Sequence, residues 1–82
     1  MKFTVYILKD QDGKFYKGLT NNLNRRIIEH RNKKTITTAK MKNLTVAYTE
    51  EFDNLEDARK RELYFKSAAG RRFLKNNIGP VV

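Results

Sequence analysis

The sequence predicts a small α/β (α+β) domain, a central three-stranded antiparallel sheet flanked by helices in the order β-β-α-β-α-α. Three observations carry that expectation. Two stretches rich in β-branched and aromatic residues flank an Asp12-Gly13 turn signal. A third such stretch alternates around Tyr48. Cap residues, Thr20-Asn21-Asn22 and Asp53-Asn54, stand before two segments of helical spacing. The 82 residues leave room for one hydrophobic core, near the lower size at which a chain stands alone. We therefore expect one domain over 1–78 and a loose tail over 79–82, marked by Gly79-Pro80.

The elements follow in order. Phe3, Val5 and Ile7 alternate with Thr4, Tyr6 and Leu8, which predicts a strand ending near Lys9. The segment from Asp10 to Lys14 turns the chain, and Phe15 to Gly18 returns as a second strand, so Tyr6 and Tyr16 lie near each other on a hairpin. Leu23, Ile27 and His30 recur at helical spacing and predict a basic helix from Leu23 to Lys33. Lys33 to Asn43 has no period and reads as an exposed loop, or equally as a nucleic-acid-contacting flap. A third strand runs from Leu44 to Phe52, a helix from Leu55 to Lys66, and a short last helix follows Ser67-Ala68-Ala69-Gly70 through Arg71 to Lys75.

Composition narrows the function classes. The absence of cysteine excludes a disulfide framework and thiolate zinc, and suits a reducing cytosol, so we expect a cytoplasmic protein. The amino-terminal stretch is too short and too polar for a signal peptide or a membrane span. Eighteen Lys and Arg against nine Asp and Glu give +9, which favours a polyanionic partner.

Glu62 is singled out by helical phase. At about 100° per residue, Leu55, Ala58, Phe65 and Ala69 fall within roughly 80° of one another, with Glu62 in their midst. A carboxylate in an apolar stripe calls for an arginine partner or a cation. Both options stand on phase alone. Arg26 and His30, four residues apart, flank the line from Leu23 to Ile27, and His30 by itself is as readily a satisfied core residue as a catalytic one. Gly18 removes a side chain from the face that carries Tyr16, which leaves room for a close approach or merely marks a strand end.

Val5-Tyr6-Ile7, then Tyr16-Lys17-Gly18, then Thr20-Asn21-Asn22-Leu23, Arg25-Arg26 and His30, and later Arg61-Glu62 with Lys66, resemble the ordered motifs of the GIY-YIG nuclease superfamily. The resemblance spans Phe3 to Lys75 and is greatest to the short, single-domain bacterial members, which are similar to the catalytic domains of excinucleases and homing endonucleases. Two departures stand out. Val5-Tyr6-Ile7 replaces a motif that begins with Gly and ends with Tyr, so Tyr6 is matched with the register shifted by one. Lys17 occupies a usually aliphatic position, opposite in facing to Tyr16.

The resemblance implies metal-dependent hydrolysis of a DNA phosphodiester, a role in DNA repair, recombination or processing, and one Mg²⁺ or Mn²⁺ ion on Glu62. It implies that Tyr6 or Tyr16 helps to deprotonate water, that Arg26 stabilises charge on the phosphoryl oxygens, and that His30 orients a tyrosine or contacts the phosphate. Gly18 would give the scissile phosphate room. Lys33, Lys34, Lys40, Lys42, Arg71 and Arg72 are candidate DNA contacts. The alternative is a catalytically weak or inactive binding module of the same fold; an RNA-associated basic protein ranks third, since it gives Glu62 no reason. The expected partner is DNA, branched or single-stranded forms included, bound by a monomer or weak homodimer, with a protein partner as a further source of specificity.

Overall fold

The computed structural model describes residues 2–32 and 38–78. Its elements are β1 (Phe3–Lys9), β2 (Phe15–Thr20), α1 (Leu23–Arg31), β3 (Thr45–Phe52), α2 (Leu55–Lys66) and α3 (Ala68–Asn77), in the predicted order β-β-α-β-α-α. The strands form one antiparallel sheet in the spatial order β2-β1-β3. The expected Gly79-Pro80 tail, and the loop residues 33–37, lie outside the described residues.

Asp10 builds the hairpin turn. Its carboxylate accepts from the backbone N–H groups of Asp12 and Lys14 at 2.9 and 2.8 Å, while Gly13 takes a left-handed φ of 82°. β2 runs two residues further than the sequence predicts, because Leu19 and Thr20 still pair with Val5 and Thr4. A bulge between Ile7 and Leu8 in the β1–β3 pairing shifts the register past Ala47.

β1 is the middle strand and has both faces covered, so Val5, Tyr6, Ile7 and Leu8 are all buried. On one face Val5 and Ile7 meet Ala58 and Phe65 of α2 and Leu74 of α3, with Phe3, Phe15, Leu19, Tyr48, Phe52 and Phe73 around them. On the other, Tyr6 meets His30 of α1.

Side-chain caps set the helix starts. Asn22 accepts from the Arg25 N–H at 3.1 Å, and Asn54 from the Asp57 N–H at 2.8 Å with Glu56 and Asp57 in the first turn, where the helix dipole favours acids. Ser67 ends α2 and caps α3 by accepting from the Gly70 N–H at 3.2 Å. This cap starts α3 at Ala68, three residues before the sequence-based expectation, and carries it to Asn77. α1 stops at Arg31 rather than Lys33, where Asn32 takes over as its C-cap.

Candidate active site

The hairpin register sets Tyr6 directly across from Gly18, and Tyr16 across from Leu8 on the same face. A Cβ built on Gly18 would overlap the Tyr6 ring, falling against its Cζ and hydroxyl oxygen and 2.7 Å from Cε1. The expected space for a phosphate over Gly18 is therefore filled by the phenol itself, and the glycine's local role is to let Tyr6 lie flat across β2. The Tyr6 and Tyr16 rings stand 6.2 Å apart.

α1 supplies the next two groups. Arg26 and His30 are one turn apart on the helix face that meets the sheet. The His30 ring is 1% exposed; its Nε2 lies 2.9 Å from the Tyr6 hydroxyl and its Nδ1 lies 2.7 Å from the Thr38 hydroxyl. The Tyr16 ring meets the imidazole edge-on at 4.9 Å. Thr38, itself fully buried, was absent from the sequence-derived site. Nothing in a loop with several threonines distinguishes the one that reaches the imidazole.

Tyr6 and His30 are electrically neutral near pH 7. Burial pushes the Tyr6 hydroxyl up to about 12, and the opposing pull of the nearby Arg26 guanidinium does not offset it. Burial, then the Arg26 charge, lowers His30 below its ordinary value. Arg26 in turn donates from Nη1 to the Glu29 carboxylate at 2.9 Å, which with Tyr6 keeps the guanidinium firmly protonated. Tyr6 thus has a polar arrangement that can pass a proton rather than hold a phenolate.

Glu62 joins Arg26 at the β2 edge of the sheet. An open cleft of about 610 Å³ is lined there by Leu19, Thr20, Arg25, Arg26, Arg59, Glu62 and Lys66 among others. The apolar stripe drawn from the sequence around Glu62 forms only in its middle: Ala58 and Phe65 are buried, but Leu55 is 46% exposed, and Ala69 belongs to α3, because Ser67 breaks the helical phase. Glu62 lines the cleft with its side chain only 16% exposed, its carboxylate 3.6 Å from the Lys66 ammonium.

A single hard cation fits this carboxylate only with most of its remaining positions filled by water and substrate oxygens. Among the described residues there is no group of three or more His, Cys, Asp or Glu able to hold a metal ion. The surrounding Arg25, Arg26, Arg59 and Lys66 favour an anion beside that carboxylate.

The proposed phosphate-contacting residues divide between the two faces. Lys42 and Arg31 line an open groove with His30 on the α1 side, and Lys40 is exposed nearby in sequence. Arg71 and Arg72 are exposed on α3, where Arg71 lies close enough to Lys17 to act on its charge. Lys33 and Lys34 lie outside the described residues. No described helix is long and apolar enough to cross a membrane.

Residues 2–76 match the family model of the GIY-YIG catalytic domain. The chain is 35% identical over 74 residues to a UPF0213 protein of Limosilactobacillus reuteri, covering 87% of this chain and 77% of the relative. It is 33% identical over 75 residues to a UPF0213 protein of Staphylococcus saprophyticus, covering 90% and 92%. The solution NMR structure of a UPF0213 protein from Bacillus halodurans superposes with a TM-score of 0.60 at 30% identity, over 98% of this chain and 89% of that one.

Proposed function

The chain belongs to the GIY-YIG catalytic-domain family, and we propose that it is a divalent-metal-dependent DNA endonuclease, structure-selective or weakly specific, acting in DNA repair, recombination or processing. The observation that carries this reading is the meeting of two half-sites at the β2 edge. Arg26 faces the buried Tyr6–His30 pair on one side and shares the Glu62 cleft on the other.

In this reading the scissile phosphate enters the cleft and its oxygens lie against the Arg26 guanidinium, a planar donor suited to charge that develops there. Tyr6 receives a proton from the attacking water while passing its own to His30 Nε2. That direction needs the tautomer in which Nδ1–H donates to Thr38. A tyrosine whose hydroxyl stays protonated up to about pH 12 is useless as a preformed base, which is why the relay is required. Glu62 would hold one Mg²⁺ or Mn²⁺ ion, which when bound supplies electrostatic stabilisation at the leaving oxygen.

The second reading is a binding module of the same fold. It is favoured by the ion pair of Glu62 with Lys66 and by the three arginines around it.

Supercoiled, branched and single-stranded DNA with Mg²⁺, Mn²⁺ or chelator separates the two. Metal-dependent nicking by the wild type should fall at least about 100-fold in Glu62→Gln, a loss of the size seen when one charge-stabilising group is removed. Thermal stability and DNA affinity in chelator should stay at wild-type levels, since Gln keeps the size of the side chain and only a charge and a ligand are lost. Salt-sensitive binding with no nicking on any substrate establishes the module instead.

A further inference from the structure

Lys17 is the departure for which neither the core nor the cleft has a use. It pairs across the hairpin with Ile7, so its side chain leaves β2 on the α2–α3 face, in a row whose other members, Phe15 and Leu19, pack against the core. It is half-buried, yet no carboxylate among the described residues pairs with it. The charges that act on it are those of Arg71, in the first turns of α3, and Lys66, the last residue of α2.

Among the described residues only Lys66 of the three cations has a carboxylate, Glu62, beside it, and Lys17 is both partly stripped of water and repelled by its two neighbours, which raises the free energy of the protein. Burial, then Arg71 and Lys66, lowers the Lys17 pKa below its ordinary value, as that arrangement requires. A bound anion reverses both effects. The place is not isolated: Lys66 also lines the Glu62 cleft, and so does Leu19, two residues from Lys17 on the same face of β2. Two strand residues span about 6.6 Å, close to one internucleotide step.

We propose that Lys17, Lys66 and Arg71 form a second phosphate subsite, continuous with the Arg26–Glu62 cleft, that holds the neighbouring phosphate of a bound DNA strand. The subsite rests on the nuclease-fold reading of the cleft, and it gives the strand a path from the β2 edge toward the start of α3. Lys66 is shared, since the same ammonium that faces Glu62 can swing to a phosphate oxygen.

Lys17→Met tests this with two readouts that move in opposite directions. Binding of a fluorescently labelled single-stranded oligonucleotide is followed by anisotropy in chelator over a range of salt. The variant should bind more weakly, and the slope of log affinity against log salt should become shallower by about 0.7, the value of one lost phosphate contact on a single strand. The free variant should melt at the same temperature as the wild type or higher, because an unpaired, half-buried charge has been replaced by an apolar group of similar length. Arg71→Gln, at an exposed helix position that cannot upset folding, should lose a similar increment of slope, and Lys17→Arg should restore it.

A lower melting temperature in Lys17→Met together with an unchanged slope makes Lys17 a structural residue and overturns the subsite. Unchanged slopes in both Lys17→Met and Arg71→Gln, with normal wild-type binding, overturn the subsite alone. Failure of the wild type to bind any oligonucleotide overturns the cleft reading and the subsite together.

Discussion

On one face of β1 a neutral chain of hydrogen bonds runs from Tyr6 through His30 to Thr38; on the other, Arg61 holds Glu50 through Nε and Nη2 at 2.9 and 3.1 Å while Tyr48 donates to the same carboxylate. The Arg61 guanidinium also lies over the rings of Tyr64, Phe65 and Phe73, 4.6 to 5.4 Å from their centroids. Both networks satisfy their buried groups, but the ionic one closes on itself. Both Glu50 oxygens are taken, by Arg61 and Tyr48, and the Arg61–Glu50 pair ties α2 to β3. In the neutral chain the Tyr6 hydroxyl can hand its proton to the imidazole. In the proposed reading the opposite sides of one sheet serve packing and chemistry, and the difference lies in whether a network has a free direction.

The sharpest way to break that comparison is one methyl group at each of two glycines. At Gly70 a Cβ would fall on the Tyr64 carbonyl oxygen and 2.5 Å from the Phe65 Cα, and backbone cannot step aside. Gly70→Ala should cost about 3 kcal/mol, or roughly 12–24 °C of melting temperature for a domain of this size. At Gly18 the methyl meets the far end of the Tyr6 side chain, which can turn away. Gly18→Ala should cost only about 1 kcal/mol in denaturant unfolding, yet should sharply lower metal-dependent nicking. Equal stability losses at the two sites would show that the tyrosine is as fixed as the helix backbone.

A smaller contrast comes from removing one partner in each network. Arg61→Met leaves Glu50 without its cation and should destabilise by about 2 kcal/mol, as loss of charged hydrogen bonds does, with nicking per folded molecule little changed. His30→Phe takes the imidazole partner from two buried hydroxyls, Tyr6 and Thr38, and should cost about 1–2 kcal/mol, with nicking reduced well beyond the folded fraction lost. Comparable turnover in both variants would remove His30 from the mechanism.

The mildest effect is a pH dependence. His30 titrates below its ordinary value of 6.5 because it is buried and faces Arg26, while Glu29 opposes the shift less strongly. As pH falls through 6.5 the unfolded chain binds a proton that the folded protein refuses, so stability declines below that pH and is unaffected above it. Urea midpoints measured from pH 8 to 5 should fall on the acid side in the wild type and do so less in His30→Gln. An identical decline in both would assign the acid sensitivity to other groups.

Much of the site is legible in the sequence where local geometry rules it. A short hairpin brings Tyr6 and Tyr16 to one face by strand alternation, and four-residue spacing puts Arg26 and His30 on one side of a helix. The long-range partners are another matter. Glu62 was flagged through a stripe that Ser67 interrupts, and its actual neighbours, Arg25, Arg26 and Arg59, come from two helices packed at one sheet edge.

The sequence by itself therefore determined the elements, their order and the residue types available for phosphate chemistry, because strand alternation, helical phase, caps and the Asp10 turn act over a few residues. Only the tertiary structure decided that Thr38 meets His30, that the space above Gly18 belongs to Tyr6, and that Lys17 lies among cations rather than beside an acid. Those relations depend on which helix covers which face of β1 and at what depth, and pairwise chemistry along the chain carries no information about that packing.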